Sequence, residues 1–150
     1  MWRRRPDGLG AANLVFVFAM ALHGIDHLTQ ARGVDALTRE VFWGGVVRGV
    51  LALGTLPLTL GRHPRAPLVA AVVGLWTALG VSAAHLAPHW SAFSDPYPNL
   101  GLGVWSWTVV LAEIAAALAF GLIGVARLRQ AHHGRAAGPP PVQPRAARSS

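Results

Sequence analysis

The stretch Val104–Ala126, VWSWTVVLAEIAAALAFGLIGVA, decides the fold class, because Glu113 is its only charged residue. A helix needs about 20 mostly apolar residues to cross the hydrocarbon core of a bilayer. The stretch is long enough for that, and it lacks the strict alternation of a membrane β-strand. It therefore predicts a transmembrane helix.

Three further blocks of the chain meet the same criterion. They run from about Gly10 to Leu28, from Val41 to Leu60 and from Pro67 to Leu86. Of the 150 residues, 53% are hydrophobic and only 13% are charged, a composition typical of membrane proteins. We expect one all-α domain, a transmembrane four-helix bundle, over residues 1–130. Residues 131–150 are rich in Gly, Pro, Arg and Ser, and we predict a disordered cytoplasmic tail there.

The positive charge of the chain indicates its orientation in the membrane. All 13 basic residues are Arg, against 6 acidic ones. Ten of them flank the spans on the side of both termini, and only Arg32 and Arg39 lie in the loop on the opposite side. Because cytoplasmic loops collect positive charge, we predict a multi-pass plasma-membrane protein with both termini in the cytoplasm. The expected partner is the lipid bilayer and not nucleic acid, since no nucleic-acid-binding signature is present.

One alternative for the first span stays open. Arg3–Arg5, the following apolar stretch and Ala19-Met20-Ala21 also fit a cleavable signal peptide. The apolar character continues past that point to Leu28, which favours a retained span.

Ionisable side chains lie within or at the ends of all four spans, on the same side of the predicted membrane. They are His23, Asp26 and His27 in the first span, Arg48 in the second, His85 and His89 at the end of the third, and Glu113 in the fourth. Ionisable groups at membrane depth are costly and usually face a packed interior or a functional cavity. Small or hydroxyl residues share most of their helical faces, as at helix–helix contacts in membranes. We expect the polar groups to converge in one cluster in the outer half of the bilayer.

The histidines form two pairs with the spacing of one helical turn, His23-x-x-x-His27 and His85-x-x-x-His89. Imidazoles with this spacing can reach a common metal ion. The chain has no cysteine, so thiolate ligands, disulfides and cysteine nucleophiles are excluded. The four histidines therefore suit Zn, Cu or Fe, or haem b held by two imidazoles. The alternative is that they only hydrogen-bond backbone or lipid headgroups.

Three charged residues accompany the histidines. Asp26 is expected to accept a hydrogen bond from a neighbouring histidine. Arg48 and Glu113 are the deepest charges, and an ion pair between them would lower the cost of burying both. The alternative for this pair is a proton or anion relay to the outer surface.

The segment between the third and fourth spans, Trp90-Ser-Ala-Phe-Ser-Asp-Pro-Tyr-Pro98, is aromatic and carries no basic residue. Its aromatic side chains are typical of the belt at a membrane interface. The alternative is a lid over the polar cluster, formed by Trp90, Asp95 and Tyr97.

Two short motifs resemble known proteins. His23-Gly24-x-x-His27 after an apolar run, and Glu113 followed by Ala/Gly-rich residues through Gly121, are similar to small four-helix bacterial membrane proteins, including the DoxX-like group. The whole pattern, with residues 84–95, resembles uncharacterised integral membrane proteins of GC-rich bacteria. The enrichment in Arg, Ala, Gly and Pro without Lys agrees with such a source. This resemblance implies a four-span fold and no particular activity.

Three functions fit the sequence. The first is binding of a transition metal or haem by His23, His27, His85 and His89. The second is an accessory or assembly subunit of a membrane complex, whose polar network only fixes helix packing. The third is a proton-coupled carrier, which would have to be a homo-oligomer because four spans are few for a pathway. The sequence leaves open whether the protein is an enzyme.

Overall fold

Four helices make up nearly all of the structure, a computed structural model that describes residues 7–29 and 39–136. They are α1 (Gly8–Thr29), α2 (Arg39–Leu60), α3 (Ala66–His85) and α4 (Val104–Ala136), with a short 3₁₀ helix at Tyr97–Asn99. No strand occurs in these two ranges. The prediction of an all-α, four-helix fold is thus confirmed, and each helix is long and apolar enough to cross a membrane.

The helix ends follow local sequence signals. Proline at the first positions of a helix costs no hydrogen bond, and α3 has Pro67 there. Pro57 lies inside α2 without ending it. Helix α4 continues to Ala136, past Ala126 and into the first residues of the predicted tail, because Arg, Leu, Gln and Ala in that stretch favour helix. Residues 137–150 of the predicted tail lie outside the described residues.

The helices form an antiparallel ring in which each one packs on two neighbours. The contacts run α1–α2, α2–α3, α3–α4 and α4–α1, so that α1 and α3 face each other diagonally. The ends of α1 and α3 therefore lie beside the starts of α2 and α4. We call this the site end of the bundle, because it carries His23, Arg48, His85 and Glu113.

Glycine brings α3 and α4 into close contact. A Cβ atom on Gly74 of α3 would lie 2.6 Å from the Gly121 nitrogen and 2.7 Å from the Ala117 oxygen, both backbone atoms of α4. A Cβ atom on Gly124 would lie 2.6 Å from the Ala71 nitrogen. Such close approach of two backbones requires glycine, as is common between helices in membranes.

Helix α1 contacts α4 through an aromatic pair and α2 through a polar network. Phe16 of α1 stacks on Phe120 of α4 with ring centroids 5.5 Å apart. Asn13 of α1 donates to the Thr59 hydroxyl at 2.7 Å and accepts from the Thr55 hydroxyl at 2.9 Å, both on α2. All three polar side chains are buried. Because a buried polar group is costly without a partner, the network fixes the register of α1 against α2.

Candidate functional site

Three histidine side chains meet at the site end of the bundle. The ring centroids of His23 and His27 are 4.7 Å apart, and that of His85 lies 5.0 Å from the first and 5.3 Å from the second. Each imidazole offers one nitrogen, and these three atoms lie within 4.8 Å of one another. His23 and His27 share a face of α1 one turn apart, whereas His85 is the last residue of α3. The cluster therefore bridges the diagonal of the bundle.

His23 is completely buried and uses both ring nitrogens. Its Nδ1 hydrogen-bonds Glu113 Oε2, and its Nε2 lies 2.9 Å from the Tyr97 hydroxyl. A carboxylate can only accept, so with Glu113 ionised His23 Nδ1 carries the hydrogen and Nε2 keeps the lone pair. A histidine whose other nitrogen donates to a carboxylate is the usual arrangement at metal sites.

Arg48 completes the surroundings of Glu113. Its Nε lies 3.3 Å from Glu113 Oε1, and the Glu113 side chain is fully buried. The carboxylate is thus placed between the guanidinium on α2 and the imidazole on α1. A buried carboxylate requires such partners, because an isolated charge is costly to remove from water.

His85 and His27 each have a nitrogen that can bind a ligand. His85 Nδ1 lies 3.1 Å from the backbone oxygen of Asp95, which can only accept. The hydrogen is therefore on Nδ1, and Nε2 keeps the lone pair. His27 Nδ1 is buried and makes no hydrogen bond to the described part of the chain. Buried polar atoms usually have a hydrogen-bond partner, so this nitrogen is available to bind a ligand.

The segment from Leu86 to Gly103 covers the histidines. The Asp95 amide donates to the Ala84 oxygen at 2.9 Å, and the Trp90 indole donates to the Ala83 oxygen at 2.7 Å, which fold the segment back on α3. Tyr97 is 1% exposed and Asp95 is buried, whereas the Trp90 side chain is mostly exposed. Of the residues predicted to form a lid, Asp95 and Tyr97 thus lie at the site, and Trp90 lies on the outside.

Two other predicted site residues are not among the three side chains that could hold an ion together. Asp26 is buried and accepts a hydrogen bond from the Ser106 hydroxyl at 3.1 Å. His89 is exposed and does not belong to the histidine group that could hold an ion. Its place follows from the end of α3 at His85: with Pro88 next to it, the chain leaves the helix and the one-turn spacing is lost.

Sequence reasoning missed the roles of Ser106 and Asn13, and it named Tyr97 only as an interfacial aromatic residue or part of a lid. The contact of the Tyr97 hydroxyl with His23 inside the bundle is new. One signal in the sequence indicates a fixed position for this side chain. Tyr97 lies between Pro96 and Pro98, and proline restricts the backbone conformation of its neighbours. Ser106 and Asn13 pair with groups on other helices, and the sequence does not show such pairs.

Comparisons with known proteins find no family model, no curated protein and no solved structure that matches the chain. The resemblance to the DoxX-like group and the source in a GC-rich bacterium stay predictions. A function has to be inferred from the chemistry of the site.

Proposed function

We propose that this is a multi-pass protein of the bacterial plasma membrane, with both termini in the cytoplasm, that binds one transition-metal ion through His23, His27 and His85. The observation that carries the proposal is the convergence of three imidazoles whose ligand atoms lie within 4.8 Å of one another. The arginine bias supports the orientation, which puts the site in the outer half of the bilayer.

The hydrogen bonds of the cluster support a metal ion over a purely structural contact. His23 and His85 each engage Nδ1 with an oxygen of the protein, which orients the ring and directs the lone pair of Nε2 away from that oxygen. On His23 an ion would take the place of the hydrogen that the Tyr97 hydroxyl donates to Nε2. His27 Nδ1 is buried without a hydrogen bond in the described residues. An ion bound by His27 through Nδ1 would give this atom a partner.

The distances require only a small adjustment. With metal–nitrogen bonds of about 2.0–2.1 Å, tetrahedral ligand atoms are about 3.3 Å apart. The three nitrogens are within 4.8 Å of one another, so a modest rotation of the rings brings them to an ion. His27 is the side chain best able to move, because its Nδ1 is not held by a hydrogen bond.

The packing of the rings favours an ion over haem b. Two imidazoles that bind a haem iron stand on opposite faces of the porphyrin, which must pass between them. Here the three histidine rings pack directly on one another, with centroids 4.7 to 5.3 Å apart. Neutral imidazoles suit Zn, Cu, Ni and Fe, and three protein ligands leave a coordination position for a further group.

Metal analysis of the whole purified protein tests the proposal. The chain is stripped with a chelator in detergent, supplied with Zn, Cu or Fe in separate samples, and assayed for bound metal. We expect one ion per chain and no Soret band. His27→Ala and His85→Ala should lose the ion, whereas His89→Ala and His132→Ala should retain it because these histidines are exposed.

A chain that binds none of these metals, or one whose binding survives both His27→Ala and His85→Ala, would contradict the proposal. The second candidate is an accessory subunit with a structural polar network. The observation that favours this second candidate is the enclosed arrangement in which the Glu113 carboxylate lies between the Arg48 guanidinium and the His23 imidazole.

A further inference from the structure

We propose that Tyr97 is a fourth ligand of the metal ion, so that the site has three nitrogens and one phenolate oxygen. This inference rests on the proposed function. It adds a ligand outside the histidine motifs, and it states which oxidation states the site prefers.

The position of the phenol oxygen carries the inference. Tyr97 Oη lies 2.9 Å from His23 Nε2, the nitrogen that remains for the ion. With bonds of about 2.0–2.1 Å, neighbouring ligand atoms are about 2.9 Å apart at right angles and about 3.3 Å apart in a tetrahedron. The oxygen therefore already lies at the distance of a ligand in the same coordination shell.

The ring of Tyr97 faces all three histidines. Its centroid lies 4.6 Å from that of His85 and 6.2 Å from those of His23 and His27. The side chain is 1% exposed, which sets it apart from the interfacial tyrosines that keep their hydroxyl in water. Its hydroxyl is directed into the cluster.

The surrounding segment holds Tyr97 in this position. The residue begins the 3₁₀ helix Tyr97–Asn99, where its backbone oxygen accepts from the Leu100 amide at 3.1 Å. Its ring meets Trp107 of α4 edge to face, with centroids 5.7 Å apart. A ligand held by packing and backbone hydrogen bonds needs little reorganisation when the ion enters.

The chemistry of the step is a proton exchange. The O–H bond of Tyr97 is broken, an oxygen–metal bond forms, and the proton leaves to the solvent. No electron is transferred. A phenolate is a hard anionic ligand, so it favours Cu(II) and Fe(III) over the softer Cu(I).

Copper spectroscopy tests the inference with little ambiguity, because Tyr97 is the only tyrosine in the chain. The whole protein is titrated with Cu(II) in detergent, and visible absorption is recorded. We expect a phenolate-to-copper charge-transfer band, with phenolate ring modes in the resonance Raman spectrum excited in that band. Tyr97→Phe should abolish both signals while one copper per chain still binds, with affinity roughly 10- to 100-fold lower.

Two controls exclude other sources of the band. Trp107→Phe keeps an aromatic ring against Tyr97 and should leave the band in place. Replacing His132 and His133 by alanine removes an exposed pair of copper ligands and should also leave it unchanged.

The two proposals fail in different ways. Copper that binds through the three histidines without the band, or with the same affinity in Tyr97→Phe, would overturn the inference and leave the metal site intact. Absence of histidine-dependent copper would contradict the proposed function itself. The Raman measurement on the unaltered protein needs no variant, so misfolding of Tyr97→Phe does not affect that readout.

Discussion

Glu113 is the residue on which the site depends most. It is fully buried, and a lone acidic side chain at the centre of a membrane helix costs about 2.5–3.5 kcal/mol on insertion scales. Contacts with Arg48 and His23 offset that cost. The same carboxylate therefore stabilises the bundle and orients a proposed metal ligand.

Glu113→Gln tests the action of this carboxylate on the ion, because glutamine keeps the shape of the side chain and removes its charge. The His23 hydrogen bond weakens and Arg48 loses its counter-charge. We expect the affinity for Zn to fall roughly 10- to 100-fold in a competition titration with a chelating dye. Thr108→Val, which removes an exposed hydroxyl of α4, is the matched control. Equal affinities of Glu113→Gln and the control would show that Glu113 does not act on the ion.

At the level of single residues, the sequence predicts which side chains could bind an ion better than it predicts where those side chains lie. The spacing of His23 and His27 placed them on one face of α1 because helical periodicity alone decides that. His89 has the same spacing from His85, yet the end of α3 at His85 removes it from that face. The contact between Tyr97 and His23 joins residues 74 positions apart, and no local pattern encodes such a contact.

At the level of helices, hydropathy and proline predicted most boundaries. The start of α4 agrees with the prediction, since the residues before Val104 are rich in Gly and Pro. The end of α4 lies beyond the predicted Ala126, because residues that favour helix continue past the apolar block to Ala136. The sequence does not show which glycines bring α3 and α4 together. A Cβ atom added to several other glycines of the spans would have no atom within 4 Å.

Gly74→Ala should destabilise the bundle, because its Cβ atom would meet backbone atoms of α4 that have no rotamer to change. We expect a loss of about 1–3 kcal/mol in the free energy of unfolding. Gly80→Ala lies in the same helix with no atom within 4 Å of its Cβ, so it should be neutral or gain about 0.5–1 kcal/mol. Thermal unfolding in detergent compares the two. Equal unfolding temperatures would show that the close contact of α3 and α4 does not contribute to stability.

For the whole molecule, the arginine bias predicts which end of the bundle faces the cytoplasm, and the structure adds that the site lies at the opposite end. Helix α2 has only Ala52, Thr55 and Thr59 buried, whereas its other apolar side chains are largely exposed. Such an exposed apolar surface is expected where lipid is the solvent.

Cysteine labelling in intact cells tests the orientation, since the chain has no native cysteine. Asn99→Cys lies in the segment at the site end, and His63→Cys lies in the turn at the other end; both positions are exposed. A membrane-impermeant maleimide should label Asn99→Cys in whole cells and His63→Cys only after lysis. The reverse pattern would place the site in the cytoplasmic half.

The close contact of α3 and α4 also has a consequence for assembly. His85, Tyr97 and Glu113 all belong to this one hairpin, so that a single continuous stretch of chain brings half of the site together. We expect the hairpin to associate first after insertion, with α1 docking later against its open side. His23, which hydrogen-bonds both Glu113 and Tyr97, would then complete the site, and the three-histidine cluster would form only after α1 has packed on the hairpin.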